Sequence, residues 1–489
     1  MEQGITKNQI ISELTRSPHG DLAQYVPVAQ QAAAMDPEFL AHLISWNEQH
    51  GSIRDSKVAL PVVSLSVQGF DEELKDNSLA HLALLDPRNL VRAVEFAKQV
   101  KIPGNGRALG RLVERYLRAR ERNPGWWIRT ALSHKASLKR LYALHHLRPI
   151  TDEANSVIMR DERPEGSVFW VLGQLKTMEP AQAAGEIAKH KIPFLVALGA
   201  LGARAQEEPV VLALIDRMSA TEIVTNTKAL EKMGLQTSPA LRAAYEQKLE
   251  QVKTSKQVNL KAQRASEAQT DEGLKAKLAQ AQSKQMEANA VEGDWLVLGD
   301  KSGSMASAIE GARVVAATLA KMAKGRVSLV FFDTMPRHID VTGKSYDEIL
   351  EMTKRIQAGG GTSIGCGLQW AVENKVEVDG IAIVSDAEEN AMPIFASAYA
   401  HYSTLVVGKK VPVYLYMMGG RYGQKAFHTN MHAGGHDFQE FKLSETDYHS
   451  LPNLVATMRT NRYGLIEEVM DTPLLTVDGV FKKQDRQAA

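Results

Sequence analysis

The chain contains a single cysteine, Cys366, among 489 residues, so no disulfide can close within it. With 17 methionines beside it, this is the usage expected of a reducing compartment. Long apolar runs are missing too. The longest, Pro193–Ala203, is too short to cross a bilayer, so no membrane association is expected. The opening Met1–Arg16 lacks the apolar stretch of a signal peptide, and a cytoplasmic location is expected. There is no phosphate loop: Gly104-Asn105-Gly106 follows no strand and leads into no Gly-Lys-Ser/Thr. Nor is there a nucleophile with a base and an orienting group. Cys366 stands between Gly365 and Gly367 at the start of a helix, where it reads as packing. His432 and His436, separated by glycines, read as a surface loop rather than a ligand pair. These absences point away from an enzyme.

What is present is an ordinary globular composition, 44% hydrophobic and 24% charged, with a net charge of only +1. That near-neutral total hides a division. Between Arg88 and Arg148 stand 15 basic residues against Glu95, Glu114 and Glu121, a net of +12 that leaves −11 for the rest. A basic block of that size points to a polyanion.

From about Lys7 to Gln247 apolar residues recur at three and four, the period of amphipathic helices. Asp36-Pro37 and Asp86-Pro87 each place an N-cap before a proline at the first helical position. Stacked helix pairs of HEAT type fit such a chain. Residues 248–289 form a polar, charged linker. From Asp294 the period changes. Strands are expected at Trp295–Leu298, Arg326–Phe332, Arg337–Val341, Gly380–Ser385 and Val411–Met417. Helices are expected at Met305–Ala323, Tyr346–Gln357, Ile364–Val372 and around Tyr448–Thr460, before a weakly patterned tail. The expected fold class is α followed by α/β, with a helical-repeat domain over 1–290 and a doubly wound, Rossmann-like domain over 291–489.

Asp300-Lys301-Ser302-Gly303-Ser304 follows the first strand, where doubly wound sheets collect ligands. Gly359-Gly360-Gly361-Thr362 is a loop able to bring a further hydroxyl, and Asp386 follows the strand Gly380–Ser385. Asp300, Ser302, Ser304, Thr362 and Asp386 are therefore the candidate metal ligands. Five hard oxygens with two carboxylates suit Mg²⁺ best, with Mn²⁺ or Ca²⁺ as substitutes. Two carboxylates among hydroxyls are few for a metal-dependent nuclease.

In the basic block, Arg107, Arg111, Arg115, Arg118 and Arg122 recur at three and four and project as a stripe. After them come Trp126-Trp127, Ser133-His134-Lys135, Lys139-Arg140 and His145-His146-Leu147-Arg148-Pro149. Guanidinium and ammonium groups contact phosphates, while rings stack on unpaired bases. The candidate RNA-binding residues are Lys101, Arg107, Arg111, Arg129, His134, Lys135, Lys139, Arg140, His145 and Arg148.

The Asp-x-Ser-x-Ser, Thr, Asp set resembles the metal-ion-dependent adhesion site of von Willebrand factor A domains. Asp36-Pro37-Glu38-Phe39-Leu40, Gly106-Arg107-Ala108-Leu109 and the segment Trp127–Pro149 resemble the TROVE module of the Ro ribonucleoprotein autoantigen family, in a bacterial or phage-type member. TROVE followed by a von Willebrand A domain is that family's order. The resemblance implies a ring of HEAT-like repeats closed by the A domain, non-enzymatic binding of small noncoding (Y-like) RNA and of single-stranded ends of misfolded RNA, and contact with RNA through His134 and Lys135. It also implies tethering of polynucleotide phosphorylase through RNA and an acidic ligand at the metal. The stretch between Tyr116 and Trp127 is shorter than the family's usual insert. The alternative is a von Willebrand A protein-interaction adaptor working with a partner such as an ATP-driven chaperone.

Overall fold

The computed structural model describes residues 21–50, 54–100, 106–253, 273–278, 290–418, 425–443 and 465–488, with Lys7, Ile10, Ile11 and Gln280. Most of the linker, Lys101, Asn105 and the helix expected around Tyr448–Thr460 lie outside these residues. The chain divides into two units, a helical one that includes Gly20–Ser255 and Asp471–Ala489, and an α/β one that includes Met286–Met470.

The first helices are α1 (Tyr25–Met35), α2 (Pro37–His50), α3 (Arg54–Ser64), α4 (Glu72–Leu84), α5 (Pro87–Gln99), α6 (Gly106–Glu121) and α7 (Pro124–Leu144). After a short π-helical turn at Asn155–Met159 come α8 (Val168–Gln174), α9 (Pro180–Lys189), α10 (Phe194–Leu201), α11 (Glu208–Arg217), α12 (Ala220–Thr225), α13 (Thr227–Lys232) and α14 (Pro239–Lys253). Their starts are set by side chains that satisfy free backbone N–H groups. Asp36 accepts from Phe39 N at 3.0 Å, Asp86 from Asn89 N at 3.0 Å and Asn123 from Trp126 N at 2.9 Å. Asp36-Pro37 and Asp86-Pro87 thus act as the sequence predicts. Burial of one face then holds each helix: Leu90, Val91, Val94 and Phe96 of α5 are all interior.

The α/β unit is a six-stranded sheet in the order β3-β2-β1-β4-β5-β6. Its strands are β1 (Trp295–Asp300), β2 (Val327–Phe332), β3 (Pro336–Asp340), β4 (Gly380–Ser385), β5 (Val413–Met418) and β6 (Gln439–Leu443). All neighbours are parallel except β2 and β3, which form a hairpin. Alternate residues of β1 feed opposite layers. Val297 packs beneath α15 (Ala306–Met322) and α16 (Tyr346–Thr353), while Leu296 and Leu298 pack beneath α17 (Ile364–Glu373), α18 (Phe395–Leu405) and α19 (Ala426–Ala433). Burial on both sides explains why these strands read as short continuous apolar runs. Strand β6 and helices α18 and α19 were not foreseen: Gln439-Glu440-Phe441-Lys442-Leu443 is an edge strand, half polar, and looks like loop sequence.

Gly299 is the point where α15 crosses β1. A Cβ added there would lie 2.6 Å from the Ala312 Cβ and 3.0 Å from the Phe331 ring. Gly299→Val should therefore cost about 3 kcal/mol by overpacking and push Asp300 out of place, read as a lower midpoint of urea denaturation.

The expected fold class, helical repeats followed by a doubly wound sheet, is what the chain adopts. The tail differs. The sequence reading assigns everything after 291 to the second domain and its extension, yet Asp471–Ala489 belongs to the helical unit. Helix α20 (Leu465–Asp471) precedes α21 (Val477–Ala488). Leu475 N donates to Asn77 Oδ1 at 2.8 Å and Val477 N to Asp76 Oδ2 at 3.1 Å, so two neighbouring side chains of α4 cap the last helix from outside. Arg115 of α6 pairs with Asp478 at 2.6 Å and lies 4.6 Å over the Phe481 ring. None of these partners is near in sequence, which is why the segment reads as weakly patterned. Among the described residues no helix is long and apolar enough to cross a membrane.

Candidate functional site

The register of the sheet brings the candidate metal residues to one edge. Asp300 ends β1 opposite Phe332, and Gly299 faces Val384 of β4, so Asp300 stands level with Ser385. Three loops meet there. Gly303 N donates to Gly360 O at 3.2 Å and Gly359 N to Lys301 O at 2.8 Å, tying the Asp-x-Ser-x-Ser turn to the glycine loop. Gly360 has φ +79°, a left-handed backbone that favours glycine. Ser385 Oγ donates to Asp300 Oδ2 at 2.7 Å, and Asp386 follows it directly. Thr362 is held by Asn390, whose side-chain oxygen accepts Thr362 N at 2.8 Å. Ser385 and Asn390 are supporting residues that the sequence reading missed; adjacency to Asp386 marks the first, and nothing local marks the second.

The electrostatics of this edge are unbalanced. Asp300 is 0% exposed and has no ion-pair partner among the described residues. Burial pushes its carboxyl above the usual range; hydrogen bonds from Ser385 and Ser302 oppose this, and the nearby Asp386 charge adds to it. The adjacent ammonium groups are committed elsewhere, Lys301 to Asp333 and Lys425 to Glu388. Ser302 is 2% exposed, its side chain is close enough to Asp300 to lower the pKa of that carboxyl, and its Oγ completes no well-aligned hydrogen bond among the described residues. Thr362 is buried, Asp386 half-buried and Ser304 exposed. A buried carboxylate without a counter-charge and an orphaned hydroxyl beside it fit a bound divalent cation. The donor set is two carboxylates and three hydroxyls. No group of three or more His, Cys, Asp or Glu is assembled among the described residues.

In the basic block, 14 of the 15 cations are described, all but Lys101. Several are spent internally. Arg92 pairs with Asp55 at 2.7 Å, Arg115 with Asp478, Arg140 with Glu95 at 2.5 Å, and Lys135 with Asp161. Arg118 reaches Glu121 and donates to Arg148 O at 2.7 Å. Arg120 is buried, 3.3 Å over Tyr116 and 4.3 Å over Trp126. The five-arginine stripe expected on α6 therefore reduces to Arg107, Arg111 and Arg122 as exposed groups without an acid partner; Arg107 and Arg111 line a cleft beside Glu72, Lys75 and Asp76 of α4. Arg88, Lys98, Arg129, Lys139 and Arg148 are exposed and likewise form no ion pair among the described residues.

The rings are not free platforms. Trp127 is buried edge-on against Phe169, so it serves the core and not base stacking. His145 is half-buried, with its Nδ1 3.5 Å from where a Cβ of Gly110 would lie. His134 is half-buried where α7 breaks, at φ −134° and ψ 26°. Burial lowers the pKa of both imidazoles. Three irregularities follow within thirty residues: His146 at φ 53°, the π-helical turn Asn155–Met159 and Asp161 at φ 60°. Backbone strain of this kind concentrates where geometry matters more than stability, and its last member, Asp161, pairs with Lys135.

The residues discounted from sequence behave as packing. Cys366 is buried and its thiol is pushed up to about 11 by burial. His432 is not in a loop: it lies in α19 against Phe438, while His436 meets Tyr399 edge-on.

No family model matches this sequence, and no curated protein matches it. Among solved structures, the chain is similar to the Deinococcus radiodurans Ro (RSR) protein, with a TM-score of 0.63 and 15% identity over 92% of this chain and all of the other. The chain therefore has the fold of a bacterial Ro protein.

Proposed function

We propose that this chain is a non-enzymatic, RNA-binding scaffold of Ro type. Its helical unit would bind a small noncoding RNA of the Y kind and single-stranded ends of misfolded RNA. Its α/β unit would hold a divalent cation, Mg²⁺ in the first place, whose role is to present a positive charge to an anionic group of a partner. Asp300, Ser302, Ser304, Thr362 and Asp386 would hold that cation. An RNA-degrading partner such as polynucleotide phosphorylase would be tethered through the RNA.

The observation that carries the reading is the set of eight exposed cations on and around α5 to α7 that form no ion pair among the described residues. Phosphates are the ligands such a set suits, and their binding releases counterions. If about five of them each neutralise one phosphate, log K against log salt for single-stranded RNA should slope near roughly −3.5. A slope near zero in fluorescence anisotropy would end the electrostatic argument.

The ion pairs separate two neighbours. Lys139→Gln should lower RNA affinity and flatten that slope by about 0.7, since its ammonium is exposed and forms no ion pair among the described residues. Arg140→Gln should do less, because its guanidinium already answers Glu95. Equal effects would mean that Glu95 does not hold Arg140 in solution. His134→Ala with Lys135→Ala should weaken binding while leaving the circular dichroism spectrum unchanged. Unaltered affinity would remove these two residues from the interface.

A further inference from the structure

The free ring that α7 lacks stands on the next helix. Trp170 of α8 is 37% exposed, and no other Phe, Tyr or Trp among the described residues is as exposed. Its neighbour Phe169 explains the position. Phe169 meets the buried Trp127 of α7 edge-on, with ring centroids 5.6 Å apart. That contact pins α8 to the helix that carries Ser133-His134-Lys135 and Lys139. Successive residues of a helix point about 100° apart, so the next ring cannot share the contact and faces outward.

A guanidinium lies one turn along the same face. Trp170 and Gly173 are three residues apart on α8, the spacing that makes helix side chains neighbours. A Cβ on Gly173 would lie 2.6 Å from Arg163 Nη1 and 3.6 Å from Arg163 Cζ, so the Arg163 fork fills the space of the missing side chain. Arg163 is exposed and forms no ion pair among the described residues; Glu162 answers Arg160 at 3.0 Å instead. Asp161 joins this group to α7. Its carboxyl is lowered by the hydrogen bond from Lys135 and by the Lys135 charge, with Lys139 and Arg163 adding to the effect. One indole and three cations thus share a patch in which, among the described residues, only Lys135 has an acid partner.

An exposed tryptophan alone signifies little. A flat ring beside cations without acid partners is what single-stranded nucleic acid needs, because a base stacks on the ring while the phosphates on either side meet the charges. A duplex keeps its bases inside and has no use for the ring. We propose that Trp170 is the base-stacking ring of the RNA interface, with an unpaired base on its indole and the flanking phosphates on Arg163, Lys135 and Lys139. The inference rests on the RNA-binding reading and adds to it the residue that tells unpaired RNA from paired.

The test is fluorescence anisotropy on the full chain with oligouridylate and with a blunt RNA duplex of equal length, for the wild type, Trp170→Leu, Trp170→Phe and Arg163→Gln. Circular dichroism checks that each variant folds. Trp170→Leu should weaken oligouridylate binding by about tenfold, the scale of one lost stack, and leave the salt slope unchanged, since stacking releases no counterions. Trp170→Phe should recover most of that loss, and neither change should alter duplex binding. Arg163→Gln should instead flatten the slope by about 0.7. Oligouridylate should also quench the tryptophan fluorescence of the wild type more than that of Trp170→Phe. Wild-type affinity in Trp170→Leu, an equal loss for duplex and single strand, or a Trp170→Phe as weak as Trp170→Leu would overturn the stacking assignment alone. A wild type that binds neither RNA would overturn the RNA reading beneath it as well.

Discussion

Acidifying the protein from pH 7 to pH 4 is expected to remove roughly 3 kcal/mol from the stability of the helical unit through His81 alone. His81 lies in α4, 3% exposed, and burial lowers its imidazole to about 4, with the Lys57 charge acting in the same direction. Ser45 Oγ donates to Asn77 Oδ1 at 3.0 Å, so the 3.0 Å contact between Ser45 Oγ and His81 Nε2 is made with the imidazole as donor. The His81 Nδ1 is buried without a hydrogen-bond partner among the described residues. A second proton would put both a charge and an unmatched N–H into the interior. In the unfolded chain the same imidazole titrates near its ordinary value of about 6.5. Above that pH both states are neutral and nothing changes. Between about 6.5 and 4 only the unfolded state takes the proton, so stability falls; below about 4 both are protonated and the loss levels off. His134 and His145 shift the same way, with less effect because they are half exposed. Hydrogen exchange of the α4 amides at pH 7, 5.5 and 4 measures the effect. His81→Gln, which keeps a donor for Ser45 and does not titrate, should flatten the dependence. An undiminished slope in that variant would show that the loss originates elsewhere. The same network receives the chain's last helix, since Asn77 Oδ1 also accepts Leu475 N, so α21 should lose protection together with α4.

What the sequence discloses and what it hides follow one physical division. Features set by neighbours in the chain are legible. The Asp-Pro caps fix where α2 and α5 begin, the apolar runs of β1 and β4 mark interior strands, and the spacing of Asp300, Ser302 and Ser304 declares an oxygen-rich turn. Features set by distant partners are not. Nothing near Asp478 reveals that Arg115 awaits it, and nothing near Arg140 reveals Glu95, so a charge count overstates the free basic surface. Trp127 looks like a stacking ring in a basic segment, and only the position of Phe169 turns it into core. Strand β6 is hidden for a further reason: an edge strand pairs on one side only and tolerates Glu440 and Lys442, which blur its alternation.

Asp300→Asn should move the stability of the α/β unit in opposite directions with and without a divalent cation, and this sign change is the sharpest test of the centre. Without a cation, Asp300 is a buried charge that Ser385 and Ser302 N solvate with two hydrogen bonds of 2.7 and 2.8 Å and that no ammonium offsets among the described residues. Replacing it by an amide removes the charge, keeps an oxygen for Ser302 N, and turns an NH₂ toward Ser385 and the orphaned Ser302 hydroxyl. The metal-free protein should gain about 1 kcal/mol. With Mg²⁺ at one hundred times its dissociation constant, the wild type should gain about 2.7 kcal/mol and the variant nothing, so the order of stability reverses. Protection of the β1 and β4 amides against hydrogen exchange, in EDTA and in Mg²⁺, reads this directly. If the variant is less stable in EDTA, the Asp300 charge is already satisfied by the protein and needs no metal. If both proteins gain equally from Mg²⁺, the ion binds elsewhere. Gly299→Val, which displaces the same residue sterically, should lose stability under both conditions, so only the charge-specific change can produce the crossing.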